Sequence, residues 1–362
     1  MGRKIIKRCR KCALPETFPG VLFNASGKCN YCIEHELISD RKESIRNGLK
    51  KEFIKIIKKS SKKDRRGRKY DCIVAFSGGK DSTYMLYLLK KHFNLRIMSH
   101  MLDHGLTSRQ ALKNVNNITK ALNIDHVTTK PPISLIKEIF TYVLTEETPY
   151  PKTVLSMMSP LCAACQGMIF GTTMKLAIEN NIPLLFIGYT PAQYPIVSFE
   201  NFLKVNSCVY LSSKIYKDDP LDLIKIARDP IEERIGAKIN NYFFKSQYID
   251  NRLKVPKVLF PLHVLFNYDE DKIYDIISKL GWIKPKDTDA CSTNCLVNSL
   301  GIYLFVKKLG YHPYVGQLSA LARDGKISYN DVINSENIEL NSFAIKYSCD
   351  KLKLDKRILQ KP

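Results

Sequence analysis

Cys72-Ile73-Val74-Ala75-Phe76-Ser77-Gly78-Gly79-Lys80-Asp81-Ser82-Thr83-Tyr84-Met85-Leu86 is the stretch on which the fold turns. The apolar run 72–76 predicts a buried strand over 71–76, and the spacing that follows predicts a helix over 81–92. Gly78 and Gly79 make the turn between them. Such a junction aims several backbone N–H groups and a helix N-terminus at one point, which suits a phosphate. Glycine lets the backbone approach closely and take positive φ without a Cβ clash. Lys80 adds a point charge, and Ser77 and Ser82 add hydroxyls. The Walker spacing G-x-x-x-x-G-K-[ST] is absent. An ordinary glycine turn explains the two glycines but leaves the lysine and two hydroxyls on the same turn unexplained.

Outward from that turn, strand and helix alternate. Strands are predicted at Leu95–Met101, His126–Thr129 and Pro183–Gly188. Helices are predicted at Ser108–Leu122, Ile133–Leu144 and Ala163–Asn180. The alternation predicts an α/β fold, a parallel sheet with helices on both faces. Ligands of such sheets bind at the carboxyl ends of the strands. Ser77–Ser82, Asp103 and Gly188 all fall at such ends, as a nucleotide pocket requires. Beyond residue 195 the pattern weakens. Helices are expected at 219–229, 230–247, 269–280 and 292–309, with a loop at Pro261–His263.

The chain has 362 residues, 44% of them hydrophobic, enough for one large core or two smaller ones. No apolar run reaches the roughly 18–20 residues of a membrane span, and the basic start Met1–Arg8 lacks the apolar core of a secretory signal. A cytoplasmic protein without membrane partners is expected. The net charge is +22, and residues 1–70 carry 21 Lys/Arg against 7 Asp/Glu. Segment 50–69 is the densest part. It would attract phosphate-rich partners such as RNA, although a solvated lysine-rich linker has the same composition.

Eleven cysteines in such a chain point to metal or redox chemistry more than to disulfides. Cys9-x2-Cys12 and Cys29-x2-Cys32 have the spacing of a four-thiolate zinc ribbon. Four cysteines leave no open coordination position, so the zinc would be structural. An iron–sulfur cluster or unbound thiols are the alternatives. A basic helix is expected over 36–66. A third pair, Cys162 and Cys165, opens a predicted helix whose N-terminus favours thiolate. Cys291 and Cys295 follow about 125 residues later. If the fold brings these groups together, three thiolates with an open iron site suit a [4Fe–4S] cluster, and four suit a second zinc. Cys295 is favoured over Cys291 as third ligand. Buried small apolar cysteines are the plain alternative. Cys72, Cys208 and Cys349 stand alone and are read as core or incidental.

The hexapeptide Ser77–Ser82 resembles the pyrophosphate loop of the N-type ATP pyrophosphatases, the PP-loop superfamily. The resemblance implies a HUP-type α/β fold that binds ATP and Mg²⁺, cleaves between the α and β phosphates, and adenylates a carbonyl oxygen. It implies that Ser77, Gly78, Gly79, Lys80, Asp81, Ser82, Asp103 and Gly188 bind ATP, and that Lys80 and Asp81 act in catalysis. Cys162–Ile169, running on to Ile182–Gly188, is similar to the middle of tRNA 2-thiolation enzymes. That branch implies a cluster on Cys162, Cys165 and Cys295, catalytic roles for Cys165 and Cys295, and a sulfur donor. Its usual glycine-histidine-acidic stretch is replaced here by Gly188-Tyr189-Thr190-Pro191. The amino end, Cys9–Val21 and Gly27–Cys32, is similar to N-acetyl sugar amidotransferases of surface-polysaccharide synthesis. That branch implies ammonia from a separate glutaminase subunit.

The expected organisation is a zinc ribbon at 1–35, a basic helical linker at 36–69, a PP-loop domain at 70–200, and a mostly helical region at 201–362 that completes the site. A homodimer is compatible with this plan. Cysteines in two distant segments of the α/β region favour sulfur transfer over amidation.

Overall fold

The computed structural model describes residues 6–62, 67–146, 149–193, 222–244, 255–265, 269–337 and 339–359. Cys208, Lys63–Arg66 and the ends of the helices expected at 219–229 and 230–247 lie outside the described residues.

Five parallel strands form one sheet: β1 (Cys72–Ala75), β2 (Ile97–Leu102), β3 (Asp125–Thr129), β4 (Leu184–Ile187) and β5 (Lys257–Leu259), in the order β3-β2-β1-β4-β5. The register sets Val74 beside Ser99 on one side and beside Phe186 on the other. The chain reverses direction across the sheet at β1, so the glycine loop leaves the central strand at the switch point where α/β sheets bind ligands. β2 and β4 are buried throughout, whereas the edge strand β3 is largely half-exposed. Apolar residues alternate between the two faces, as strand geometry requires. Cys72, Val74 and Phe186 pack on one face, Ile73 and Leu185 on the other.

On the first face lie the helices Lys80–His92 and Glu270–Ser278, together with Lys42–Lys62. The expected linker is therefore partly a structural helix. Its Phe53 is fully buried, with ring centroids 5.8 Å from Phe93 and 6.1 Å from Phe186. Its lysines 50, 51, 55, 58 and 59 remain exposed.

On the second face lies Pro160–Glu179, a helix that is long and apolar enough to cross a membrane by length and composition. The run-length reading missed this, because Gly, Thr and Gln interrupt the apolar run. The helix is mostly buried, and its apolar sides are consumed by packing against the sheet and the helix Asp222–Ile235. Gly171 lets the backbone pass closely, since a Cβ there would lie 2.4 Å from Tyr242 O.

Several expected boundaries differ. The helix expected at 292–309 begins at Asn298, and 291–296 is instead an ordered loop. Pro261–Leu265 is a short helix rather than a loop, because Pro at a first helical position costs no hydrogen bond. Around Pro230 the helices expected at 219–229 and 230–247 merge into Asp222–Ile235. The tail holds a further helix, Ser342–Leu352, capped by the Asn341 side chain.

The amino-terminal ribbon docks on the carboxyl-terminal helices Val315–Arg323 and Tyr329–Glu336. Arg8 donates both Nη groups to the Glu336 carboxylate, at 2.8 and 2.9 Å. His35 Nε2 lies 2.7 Å from Asp324 Oδ1. Cys9, Cys12 and Phe18 share one apolar core with Tyr311, Val315 and Val332.

Candidate nucleotide and thiol site

The loop Ser77–Ser82 joins β1 to the helix Lys80–His92, whose N-terminus it caps. Gly78 has φ +73°, and a Cβ there would lie 2.4 Å from Ala111 O. Only glycine meets both demands. Ser77 and Ser82 bring their hydroxyls to 3.2 Å of each other, and Thr83 Oγ1 donates to Gly79 O at 2.8 Å. These short polar side chains hold the turn while leaving the helix N-terminus facing the cleft.

Residues 190 or more positions away complete the loop. The Lys80 backbone N–H donates to Thr293 Oγ1 at 2.9 Å. Trp282 Nε1 donates to Gly78 O at 2.9 Å. Lys80 Nζ donates to Glu270 Oε1 at 2.6 Å and lies 5.6 Å from the centre of the Tyr274 ring. Burial pushes the Asp81 carboxyl up, with the Lys80 ammonium opposing. None of Glu270, Tyr274, Trp282 or Thr293 was singled out by motif. The one tryptophan of the chain was the available signal, since a buried indole N–H needs an acceptor.

A cleft of ≈ 250 Å³ opens at the carboxyl ends of β1, β2 and β4. Its wall includes Ser77, Lys80 and Gly188, as well as the four thiols Cys162, Cys165, Cys291 and Cys295. Gly188 brings the end of β4 against the loop, 3.2 Å from Ser82 Cα for a Cβ there. Asp103 stands at the end of β2 but is not part of that wall. Its carboxylate accepts from Gly105 N–H at 3.0 Å and pairs with Lys130 at 3.4 Å.

Cys162 and Cys165 lie in the first turns of the helix Pro160–Glu179, which Ser159 caps through Cys162 N–H. Cys295 reaches the cleft by a short antiparallel pairing. Leu296 N–H donates to Leu106 O at 3.0 Å, and Ser108 N–H to Asn294 O at 2.9 Å. This pairing across about 190 residues has no local sequence signal. His104, also missed, accepts from Leu106 N–H at Nδ1 and sets Nε2 3.9 Å from Cys295 Sγ. Its neighbour in the fold is Phe140, edge-on at 5.5 Å.

The expectation that a helix N-terminus gives thiolates here is corrected. Burial raises all four thiols, Cys165 and Cys291 to about 12. The neighbouring Cys165, Cys162 and Asp289 add to this at Cys295, and Asp289 adds to it at Cys291. Asp289 itself is buried and accepts from Asn298 Nδ2 and Ser299 Oγ, both at 3.0 Å at the shorter contact.

Of thiol, imidazole and carboxylate groups among the described residues, Cys9, Cys12, Cys29 and Cys32 alone converge within 4.8 Å as a set of three or more. Cys9 and Cys32 sulfurs are 3.7 Å apart, and Cys12 and Cys29 sulfurs 3.6 Å. A tetrahedron with bonds of about 2.3 Å has edges of about 3.8 Å, so this geometry fits zinc, and it is far from the disulfide length of about 2.05 Å. Arg323 Nη1 donates to Cys12 Sγ at 3.5 Å, a charge-assisted contact suited to a thiolate ligand. Cys162, Cys165 and Cys295 are more widely spread than a single ion allows. Together with Cys291 they line one wall of the cleft.

Residues 71–161 match the family model of queuosine biosynthesis protein QueC, a span that starts at β1 and takes in the glycine loop. This segment is of the PP-loop ATP pyrophosphatase superfamily. The chain is also similar to uncharacterized protein MJ1599 of Methanocaldococcus jannaschii, 22% identical over 280 residues, 77% of this chain and 76% of the relative. Among solved structures it is similar to the U34-tRNA thiolase NcsA from Methanococcus maripaludis with its [4Fe-4S] cluster, at 17% identity and TM-score 0.36, covering 98% of this chain and 100% of that one. The NMN synthetase of Francisella tularensis is similar at 12% identity and TM-score 0.36, with 88% and 96% covered.

Proposed function

We propose that the protein uses ATP to adenylate a carbonyl oxygen and then replaces that oxygen with sulfur. The observation that carries this reading is the shared wall: the PP-loop and the thiols of Cys162, Cys165 and Cys295 border one cleft. The loop N–H groups, the helix N-terminus and Lys80 bind the β and γ phosphates. Asp81, the one carboxylate of the loop, would hold Mg²⁺, which would neutralise charge on the departing pyrophosphate. The substrate oxygen attacks the α-phosphorus and pyrophosphate leaves with the electron pair of the cleaved P–O bond. Hydrosulfide from a donor then adds at the activated carbon, and AMP departs with the original oxygen. Cys162, Cys165 and Cys295 would hold a [4Fe–4S] cluster, which would supply a binding place for sulfide. The exposed Lys50, Lys51, Lys55, Lys58 and Lys59 on the helix Lys42–Lys62 would attract the phosphates of an RNA acceptor.

One observation favours a second reading. Burial raises the cleft thiols and so disfavours the thiolate on which sulfur transfer depends. Amidation with ammonia from a glutaminase needs the same first step and no thiolate. The test is a Cys165→Ala variant purified without oxygen. It should retain ATP binding and lose thiolated product and iron, while the wild type forms AMP and pyrophosphate with its acceptor. Undiminished turnover in that variant with ammonia as donor would hand the assignment to amidation. Release of ADP and orthophosphate by the wild type would refute both.

A further inference from the structure

Glu270 occupies a position that a phosphate oxygen would suit. Its Oε1 accepts from Lys80 Nζ at 2.6 Å, the length of a charge-assisted bond. The Asp81 carboxylate is farther off, with Oδ1 4.0 Å from the same ammonium. Lys80 is largely enclosed, its side chain 13% exposed, whereas that of Glu270 is 43% exposed. Glu270 is the first residue of the helix Glu270–Ser278, and Asp269 caps that helix by accepting from Lys272 N–H at 3.1 Å. Its backbone is therefore fixed while its carboxylate has room to turn to solvent.

We propose that Glu270 is a placeholder for polyphosphate: it holds the Lys80 ammonium at the PP-loop when the loop is empty and yields it to an arriving diphosphate. This rests on the reading that the loop grips the diphosphate of ATP. An enclosed ammonium beside a helix N-terminus meets the positive end of the helix dipole, which is costly without a counter-charge. Glu270 supplies that charge and restrains the long lysine side chain, which would otherwise sample many rotamers. A diphosphate must displace the carboxylate, so the pair opposes binding. Glu270 is thus a positioning residue that acts through Lys80.

The test is calorimetric titration with inorganic pyrophosphate, without divalent metal, of the wild type, Glu270→Gln, Lys80→Ala and the double variant. The quenching of Trp282, the single tryptophan, which is bonded to Gly78 O, is followed in parallel. Glu270→Gln should bind pyrophosphate about 2- to 5-fold more tightly, the range of a partly exposed ion pair. The gain should vanish in the Lys80→Ala background. Glu270→Ala should tighten binding in the same direction, which guards against a peculiarity of the glutamine. Equal or weaker binding by both Glu270 variants overturns the placeholder and leaves the loop's role standing. If the wild type itself binds no pyrophosphate, the placeholder and the PP-loop reading fall together.

Discussion

Gly78 and Gly79 are adjacent and look equivalent in the sequence, yet the structure asks different things of them. Gly78 combines φ +73° with a backbone oxygen 2.4 Å from where its Cβ would be. Gly79 has φ −78°, and its nearest neighbour is the Thr293 hydroxyl at 3.1 Å, a side-chain atom that can give way. Gly78→Ala should therefore cost about 2 kcal/mol or more and push the loop from the helix Arg109–Ala121. Gly79→Ala should cost less than about 1 kcal/mol and mainly disturb the bond from Lys80 N–H to Thr293. Urea unfolding of the two variants checks the order. A Gly78→Ala protein as stable as wild type would mean that the loop has no such constraint. His104 makes the complementary point. The histidine directly after Asp103 carries no motif, but it is the residue that meets Cys295, while Asp103 turns to Lys130.

At the level of elements, what could be read depended on distance along the chain. The strand–loop–helix unit and the alternation that follows it were legible because periodicity is local: 72–75, 97–102 and 184–187 are strands close to where the apolar runs place them. The four ribbon cysteines were legible because C-x-x-C hairpins bring their own ligands together. The clasp on the loop, built from Glu270, Trp282 and Thr293, was not legible. Neither was the pairing of 294–296 with 106–108, because nothing local in either segment names its partner. The docking of the ribbon has the same character. Arg8 and Glu336 are 328 positions apart and form a bidentate pair. The ribbon and the helices Val315–Arg323 and Tyr329–Glu336 share one core, so zinc held by Cys9, Cys12, Cys29 and Cys32 should stabilise both. Zinc removal by a strong chelator should raise amide exchange in 315–336 as well as in 7–32. Unchanged protection in 315–336 would separate the ribbon from that core.

Across the whole molecule, the buried imidazoles set the response to acid. Burial pushes His100 and His312 from the ordinary 6.5 to about 4. Thr173 gives its own proton to Ile169 O, so His100 donates through Nδ1 to Thr173 and accepts from Thr129 at Nε2. The ring is thus satisfied while neutral. Between pH 6.5 and 4 the unfolded chain takes up a proton at each site that the folded chain refuses. Stability is therefore intact above pH 6.5 and falls as the pH drops, by about 1.4 kcal/mol per pH unit for each imidazole and roughly 2–3 kcal/mol for the pair. His104, His126 and His263, also held at about 4 by burial, act in the same direction. Asp81 and Asp289 oppose this at the acid end, because burial raises their carboxyls and the folded chain then binds protons that the unfolded chain does not. The steepest loss should thus fall between about pH 6 and 5 and flatten below. Denaturant unfolding at pH 7, 6 and 5 measures it, with released zinc followed by a chromophoric chelator so that ribbon loss is scored separately. A His100→Gln variant should lose about one proton from the slope. A wild type whose unfolding free energy is level from pH 7 to 5 would contradict the neutral buried rings.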